Sequence, residues 1–347
     1  MLYGHGDDAF RYKDIRMNFS SNIYSHADMS ELKKHLAGTL DVIDSYPEPE
    51  PYSLEAMIAE KRGITAECVL AANGATDAIY IIAQAIKDRG CAEVSILSPT
   101  FREYEDACLM FGLKTKDAQA PDADGHTPFS EAYWLCNPNN PTGRIYGSQT
   151  MLRLAGRTNL LVIDQSYEEH TTQPVLSAKE AIDCGNIIQI HSLTKTYAIP
   201  GLRIGYVTAS PKIISMLRKF VRPWSVNAIA IEAAKWLLSH EVKAIDDMEA
   251  YLKETQRLYG MLTAIEGLEV MPTETNFLLA RIACMTAAEL KQTLAEKHHI
   301  LIRDASNFRN LDSHYIRIAA QRQDENDALV TAIRQCIEEK AGSQSQG

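Results

Sequence analysis

The stretch 192–205, SLTKTYAIPGLRIG, places Lys195 directly after an apolar run, with hydroxyls at Ser192 and Thr194 and a guanidinium at Arg203. A lysine partly removed from water loses basicity and becomes a competent amine for Schiff-base chemistry, while hydroxyls beside an arginine can hold a phosphate. The combination suits a phosphorylated aldehyde. A lone lysine at a strand end is ordinarily a solvated charge; its neighbours set Lys195 apart. Upstream, Asp164 ends the apolar run LLVI, with Tyr167 three places on. A carboxylate at the C-terminal end of a buried parallel strand faces the crevice where such sheets bind ligands. Against a heteroaromatic nitrogen it would keep that nitrogen protonated and make the ring an electron sink; its plainer role would be to cap the next helix. Tyr167 could donate to a ring oxygen or simply pack. Residues 73–77, NGATD, link a strand to a helix and offer the backbone amides of Gly74, Ala75 and Thr76 at a positive helix end, a seat for phosphate. Residues 137–143, NPNNPTG, form a turn rigid enough to fix one amide side chain toward a ligand.

These groups need a sheet to converge on. From residue 67 onward, short apolar or β-branched runs alternate with segments of helical period, the pattern of a sheet covered by helices. Strands are expected at 69–72, 94–97, 133–136, 160–163, 187–191 and 204–208, several apolar throughout, as strands buried on both faces are. Helices are expected at 76–87, 102–110, 212–220, 228–238 and 242–264. After 267 the pattern becomes a smaller α+β unit, with strands at 268–271, 276–280, 301–303 and 315–318 and helices at 287–297 and 325–338. The expected division is an arm contributing to the small domain over 1–45, a large domain over 46–265, a small domain over 266–340 and a flexible tail over 341–347.

The 347 residues carry 35 basic and 45 acidic side chains, a formal net charge of −10. That balance argues against nucleic acid, since a phosphate backbone selects basic surfaces. Seven scattered cysteines (68, 91, 108, 136, 184, 284, 336) show no paired redox or zinc spacing, which points to a reducing cytoplasm. No run approaches the ~20 apolar residues of a membrane span and no leader is apparent, so neither membrane nor secretion is expected. His298 and His299 are adjacent and point to different faces of a helix, so no metal cage is expected.

With these motifs in place, the chain resembles the fold-type I, pyridoxal-phosphate-dependent enzymes of the class I/II aminotransferase superfamily over essentially its full length. The resemblance implies an α/β fold with a mostly parallel seven-stranded sheet flanked by helices, plus a smaller α+β domain. It implies pyridoxal 5'-phosphate as cofactor, with Lys195 as its lysine and Asp164 on its ring nitrogen. Asn140 and Tyr167 would meet the ring oxygen, Phe101 of SPTFREY would stack on the ring, and Gly74, Ala75, Thr76, Ser192, Thr194 and Arg203 would hold its phosphate. Tyr46 of SYPEPE would reach the phosphate of a neighbouring subunit, implying a homodimer with shared active sites, and Arg317 of YIRIA would bind the substrate carboxylate.

Two branches of the superfamily are similar. Histidinol-phosphate aminotransferases share NPNNPTG, the early Tyr-Pro and the late arginine. The similarity is greater to the L-threonine-O-3-phosphate decarboxylases of cobalamin synthesis, through GHG at 4–6, FSSNI at 19–23, KTYAIPGLRIGY at 195–206, PWSVNA at 223–228 and ILIRDASNF at 300–308. Two departures stand out: IYSHA follows Asn22 where that branch has a Pro-Leu-Gly turn, and the second late arginine, Arg322, comes five places after Arg317 rather than four. The resemblance implies decarboxylation of O-phospho-L-threonine to aminopropanol phosphate, with His5, Asn22 and Arg322 as candidate anchors for the substrate phosphate. The same residues would serve a transaminase. A pyridoxal-phosphate-binding regulator would need a basic DNA-binding unit, which this acidic sequence does not show.

Overall fold

The computed structural model describes residues 8–119, 128–240 and 242–344. The arm contributes β1 (Met17–Asn18). The large sheet is built from β2 (Val69–Ala72), β3 (Glu93–Leu97), β4 (Lys114–Ala118), β5 (Ser130–Cys136), β6 (Thr158–Asp164), β7 (Ile187–Ser192) and β8 (Gly205–Ala209). Their spatial order is β2-β8-β7-β6-β5-β3-β4, and β8 alone runs antiparallel to its neighbours. Side chains alternate across the sheet with period two. In β2, Leu70 and Ala72 join the core under the helix Gly74–Asp88, while Val69 and Ala71 join the one beneath the helices Tyr52–Arg62 and Ala228–Ser239.

The expected mostly parallel seven-stranded sheet is present, but it contains one strand that the hydropathy pattern does not reveal. β4 reads KTKDA, with every side chain exposed or half-buried. It is an edge strand, and edges carry charge because it discourages pairing with other chains. The helix expected from 242 begins instead at Met248, where the Asp247 carboxylate caps it by accepting from the Ala250 amide at 2.9 Å.

The C-terminal part builds a second sheet from β9 (Leu268–Val270), β10 (Phe277–Ile282), β12 (Arg303–Asp304) and β13 (Tyr315–Ala319), in the order β12-β13-β10-β9, all antiparallel. The strand expected at 301–303 is divided: β11 (Ile300–Leu301) pairs in parallel with β1, and β12 pairs with β13. The arm is drawn in at that division. The Phe19 amide donates to Leu301 at 2.8 Å, its carbonyl accepts from Ala319 at 2.9 Å, and its ring is buried in the core of this sheet. The last helix, Gln323–Gln344, takes in positions 341–344, where a flexible tail is expected from the sequence. No described helix is long and apolar enough to cross a membrane.

Candidate active site

Parallel strands deliver their C-terminal ends to one edge of the sheet. Here β5, β6 and β7 end at Cys136, Asp164 and Ser192, all three lining one cavity of about 300 Å³. The cavity also takes Ala75, Thr76, Phe101, Asn140, Tyr167, Thr194, Lys195, Arg203 and Arg317, so the residues selected by motif converge.

One end is shaped for an anion. The helix Gly74–Asp88 starts there, directing its first amides inward. Gly74 has φ +85°, and a Cβ on it would stand 2.6 Å from Arg203 Nη2, so the guanidinium lies directly over the helix start. Arg203 is itself in the left-handed region and donates to the Pro200 carbonyl at 3.2 Å and to Thr194 Oγ1 at 3.5 Å. Gly205 lets β8 approach: a Cβ there would meet the Ala75 nitrogen at 2.9 Å.

In the middle lies Asp164. It accepts from Tyr104 Oη at 2.7 Å and from the Ser166 amide at 2.9 Å. Burial nevertheless holds its carboxyl above the ordinary value, with the bonds from Ser166 and Tyr104 opposing. A buried carboxylate in that condition calls for a cation. Lys195, in the single helical turn Leu193–Thr196 after β7, donates to the Ser21 carbonyl at 2.6 Å, its Nζ 5.9 Å from the Tyr167 ring centroid. Burial pushes the Tyr167 phenol up to about 12, so it is a neutral donor.

The other end is set by the NPNNPTG turn. Asn137 is tied to the Tyr146 backbone by two bonds of 2.8 Å, and Asn139 to Pro99, Thr100 and Thr142. Asn140 is left to face the cavity, where its Oδ1 accepts from Arg317 Nη1 at 2.6 Å. Gly143 makes the turn possible, since with φ +69° a Cβ there would lie 1.9 Å from Thr273 Oγ1. Arg317 also donates to the Ser20 carbonyl, while its buried Nε has no partner among the described residues. Burial pulls Arg317 down to about 10, opposed by Tyr167 and reinforced by Arg303.

Arg303, which no motif singles out, is the register partner of Arg317 across the β12–β13 pair and lines the same cavity. Only 8% of it is exposed. Its signal in the sequence is an arginine at an apolar position of ILIRDASNF. Tyr104, Phe308 and the arm residues Ser20 and Ser21 are further members of the site that sequence reasoning misses. Asn22 lies beside the cavity, donating to Tyr167 Oη at 3.3 Å. Arg322 is not among the residues lining this cavity; it lines a separate one with Tyr24, His26 and Asp247, the chain turning after β13 into the final helix. Tyr46 is 84% exposed and stands away from the cavity, its ring 5.3 Å from that of Trp224. His5 lies outside the described residues.

These groups fit pyridoxal phosphate: a helix start roofed by Arg203 for the phosphate, a buried carboxylate at Asp164 facing the cavity for the ring nitrogen, and the Lys195 amine lining the same cavity. The family model described as aminotransferase class I and II matches residues 14–333. The chain is 30% identical to a threonine-phosphate decarboxylase of Salmonella typhimurium, over 93% of its own length and 92% of that protein's. It is 28% identical to a histidinol-phosphate aminotransferase of Moorella thermoacetica, over 86% and 79% of the two chains. Among solved structures, an L-threonine-O-3-phosphate decarboxylase from Porphyromonas gingivalis superposes with a TM-score of 0.88 at 38% identity, covering 93% of this chain and 99% of that one. The chain belongs to the class I and II aminotransferase family, and it is an enzyme that works with pyridoxal 5'-phosphate.

Proposed function

We propose that this enzyme removes the carboxyl group of O-phospho-L-threonine, giving aminopropanol phosphate for cobalamin side-chain synthesis. The observation that carries the reading is the pair Arg303 and Arg317. Like charges directly opposite on antiparallel strands repel, and burial strengthens the repulsion. Two guanidinium groups held so on one cavity wall are in keeping with a substrate bearing two anionic groups. The decarboxylase relatives support the choice among such substrates.

When bound, the cofactor supplies the electron sink that accepts the pair left as a bond to the α-carbon breaks. The protein decides which bond that is. Arg317 and Asn140 bind the carboxylate, and Arg303 binds the phosphate, a remote handle that fixes the α-carbon's orientation. Asp164 holds the ring nitrogen protonated, with Tyr104 positioning it. Tyr167, to which Asn22 donates, and Asn140 would donate toward the ring oxygen, and Phe101 would cover the ring. Lys195 would hold the cofactor, and its Nζ, which lines the cavity, would move the proton returned to the α-carbon.

Leu40, Ile43, Tyr46, Tyr52 and Trp224 are large apolar side chains at least half exposed, around a segment joined by the bond from the Trp224 amide to the Pro49 carbonyl. This face suits a second copy of the chain, with Tyr46 reaching the neighbouring phosphate site; sedimentation would report the dimer, and Tyr46→Ala its shared site. All seven cysteines are free thiols, in keeping with a cytoplasmic protein.

The test is incubation of the purified enzyme with O-phospho-L-threonine and no keto acid. Sustained release of CO2 supports the reading. No release, with conversion of the cofactor to its amine form by histidinol phosphate or glutamate, moves the enzyme to the aminotransferase branch.

A further inference from the structure

Behind the cavity, on the side of β7 away from the helix Gly74–Asp88, His191 sits immediately before Ser192 and is 1% exposed. Its Nδ1 is 2.8 Å from Glu168 Oε1, and its Nε2 is 2.9 Å from Thr208 Oγ1. What each neighbour can do is fixed by the next group outward. Arg62 forks Glu168, Nη1 donating to Oε2 at 3.1 Å and Nη2 to Oε1. A carboxylate gripped in this way is ionised and can only accept, so Nδ1 carries a proton. On the other side, Gln189 Nε2 donates to the Leu176 carbonyl at 2.8 Å. Turning that amide over would bring two oxygens together, so its Oε1 faces Thr208 and accepts from Oγ1 at 3.0 Å. That bond uses the single hydrogen of the threonine hydroxyl. Thr208 has only lone pairs left for His191, and Nε2 therefore carries a proton as well.

We infer that His191 is a doubly protonated imidazolium, and that the chain Arg62–Glu168–His191–Thr208, half-buried at Arg62 and Glu168 and fully buried at His191 and Thr208, is a positioning device for the cofactor site. It bonds the residue that follows Tyr167 to the residue that precedes Ser192. The segment carrying Asp164 and Tyr167 is thus locked to the strand that delivers Ser192 and Lys195. The Tyr206 ring stacks on the imidazole with centroids 4.5 Å apart, and Arg62 Nε donates to Tyr206 Oη at 2.9 Å, so the cluster also grips β8.

Every element packed around the ring bears on its charge. Burial pulls His191 below the ordinary imidazole value; Glu168 opposes this most strongly, Arg62 adds to the burial effect, and Asp164, on the adjacent strand, favours the charge. For Glu168, burial alone would raise the carboxyl, yet His191 and Arg62 together hold it at about 2. The donor count decides between these tendencies, because a neutral ring would leave either Nε2 or Gln189 Oε1 unbonded where Gln189 and Thr208 are fully buried. The consequence is a cofactor site whose geometry does not change as pH crosses the range in which a free histidine titrates.

The inference concerns the cofactor site and holds for decarboxylation and transamination alike. The test is 15N-histidine labelling of the holoenzyme and long-range 1H–15N correlation across roughly pH 6 to 9. The resonance that disappears in His191→Gln should show protons on both ring nitrogens throughout; one bare nitrogen overturns the assignment. Thr208→Val, close to isosteric, supplies the second arm. Its His191 should lose one proton within that range, and its affinity for pyridoxal phosphate should weaken about tenfold on the alkaline side while the wild type stays flat. A folded Thr208→Val protein that binds the cofactor like the wild type at every pH overturns the positioning role.

Discussion

Arg303→Met separates the substrate-phosphate handle from the rest of the site. In the free enzyme the arginine faces Arg317 from the register-paired position on the adjacent strand, and its presence helps hold the Arg317 guanidinium below its ordinary value. Removing it relieves that repulsion but also forfeits its bond to Asn307 Oδ1 at 2.6 Å, so the thermal stability of the apoprotein should change little. With substrate bound, the same change strands a buried phosphate oxygen. Truncating one partner of a buried charge pair costs about 3 kcal/mol, which lowers kcat/KM for O-phospho-L-threonine by a factor of about a hundred. The assay is CO2 release from O-phospho-L-threonine and from L-threonine, beside thermal denaturation of the apoprotein. The phosphorylated substrate should lose any advantage it holds over threonine, whose turnover, where measurable, should be unaltered. An equal fall for both substrates, or a kcat/KM for the phosphorylated one within about threefold of wild type, would refute the assignment.

Gly74→Ala forces a side chain into a left-handed residue at a cost of about 1–2 kcal/mol and pushes Arg203 off the helix start, so cofactor affinity should drop at least tenfold in an equilibrium titration, with the far-ultraviolet spectrum unchanged. Tyr104→Phe removes the 2.7 Å bond to Asp164; the carboxyl should rise further, and kcat should fall about tenfold, measured in single turnover to exclude product release. His170 gives a pH signature. Burial, with Lys195 adding to it, holds its imidazole down at about 4, against an ordinary 6.5. The unfolded chain therefore binds the extra proton first, and stability declines as pH falls from 6.5 toward 4, by up to about 3 kcal/mol. His170→Phe should remove that part of the slope from urea midpoints taken at intervals across the range. Borohydride reduction of the holoenzyme followed by peptide mass spectrometry should place the cofactor on Lys195, and Lys195→Ala should carry none.

Much of this site is legible in the sequence because its parts are local. Asp164, Ser192 and the start at Gly74 each follow an apolar strand directly, so one sequence window holds both the strand and the group it delivers. The turn at 137–143 declares itself by composition, and the structure explains why it needs so many amides: two asparagines brace the loop so that the third can face the cavity. Arg303 is illegible for the opposite reason. Its meaning comes from the register of β12 on β13, and no window containing Arg303 alone reveals that Arg317 stands opposite. The edge strand β4 escapes notice because its residues answer to solvent rather than to a core.

The arm poses the harder problem, since what it contributes is largely main chain, and a carbonyl has no residue type. Three successive residues each hold a different member of the site: the Ser20 carbonyl takes Arg317, the Ser21 carbonyl takes Lys195, and the Asn22 amide reaches Tyr167. Asn22 achieves this at φ 53°, a conformation asparagine tolerates better than most side chains. The two carbonyls therefore sit where negative groups belong, one on the arginine assigned to the substrate carboxylate and one on the amine that must join the cofactor. Each is a neutral acceptor, weaker than the charged or covalent partner that replaces it. Binding of cofactor and substrate should thus exchange these bonds rather than create new order, and the arm holds both cations aimed into the cavity until their partners arrive.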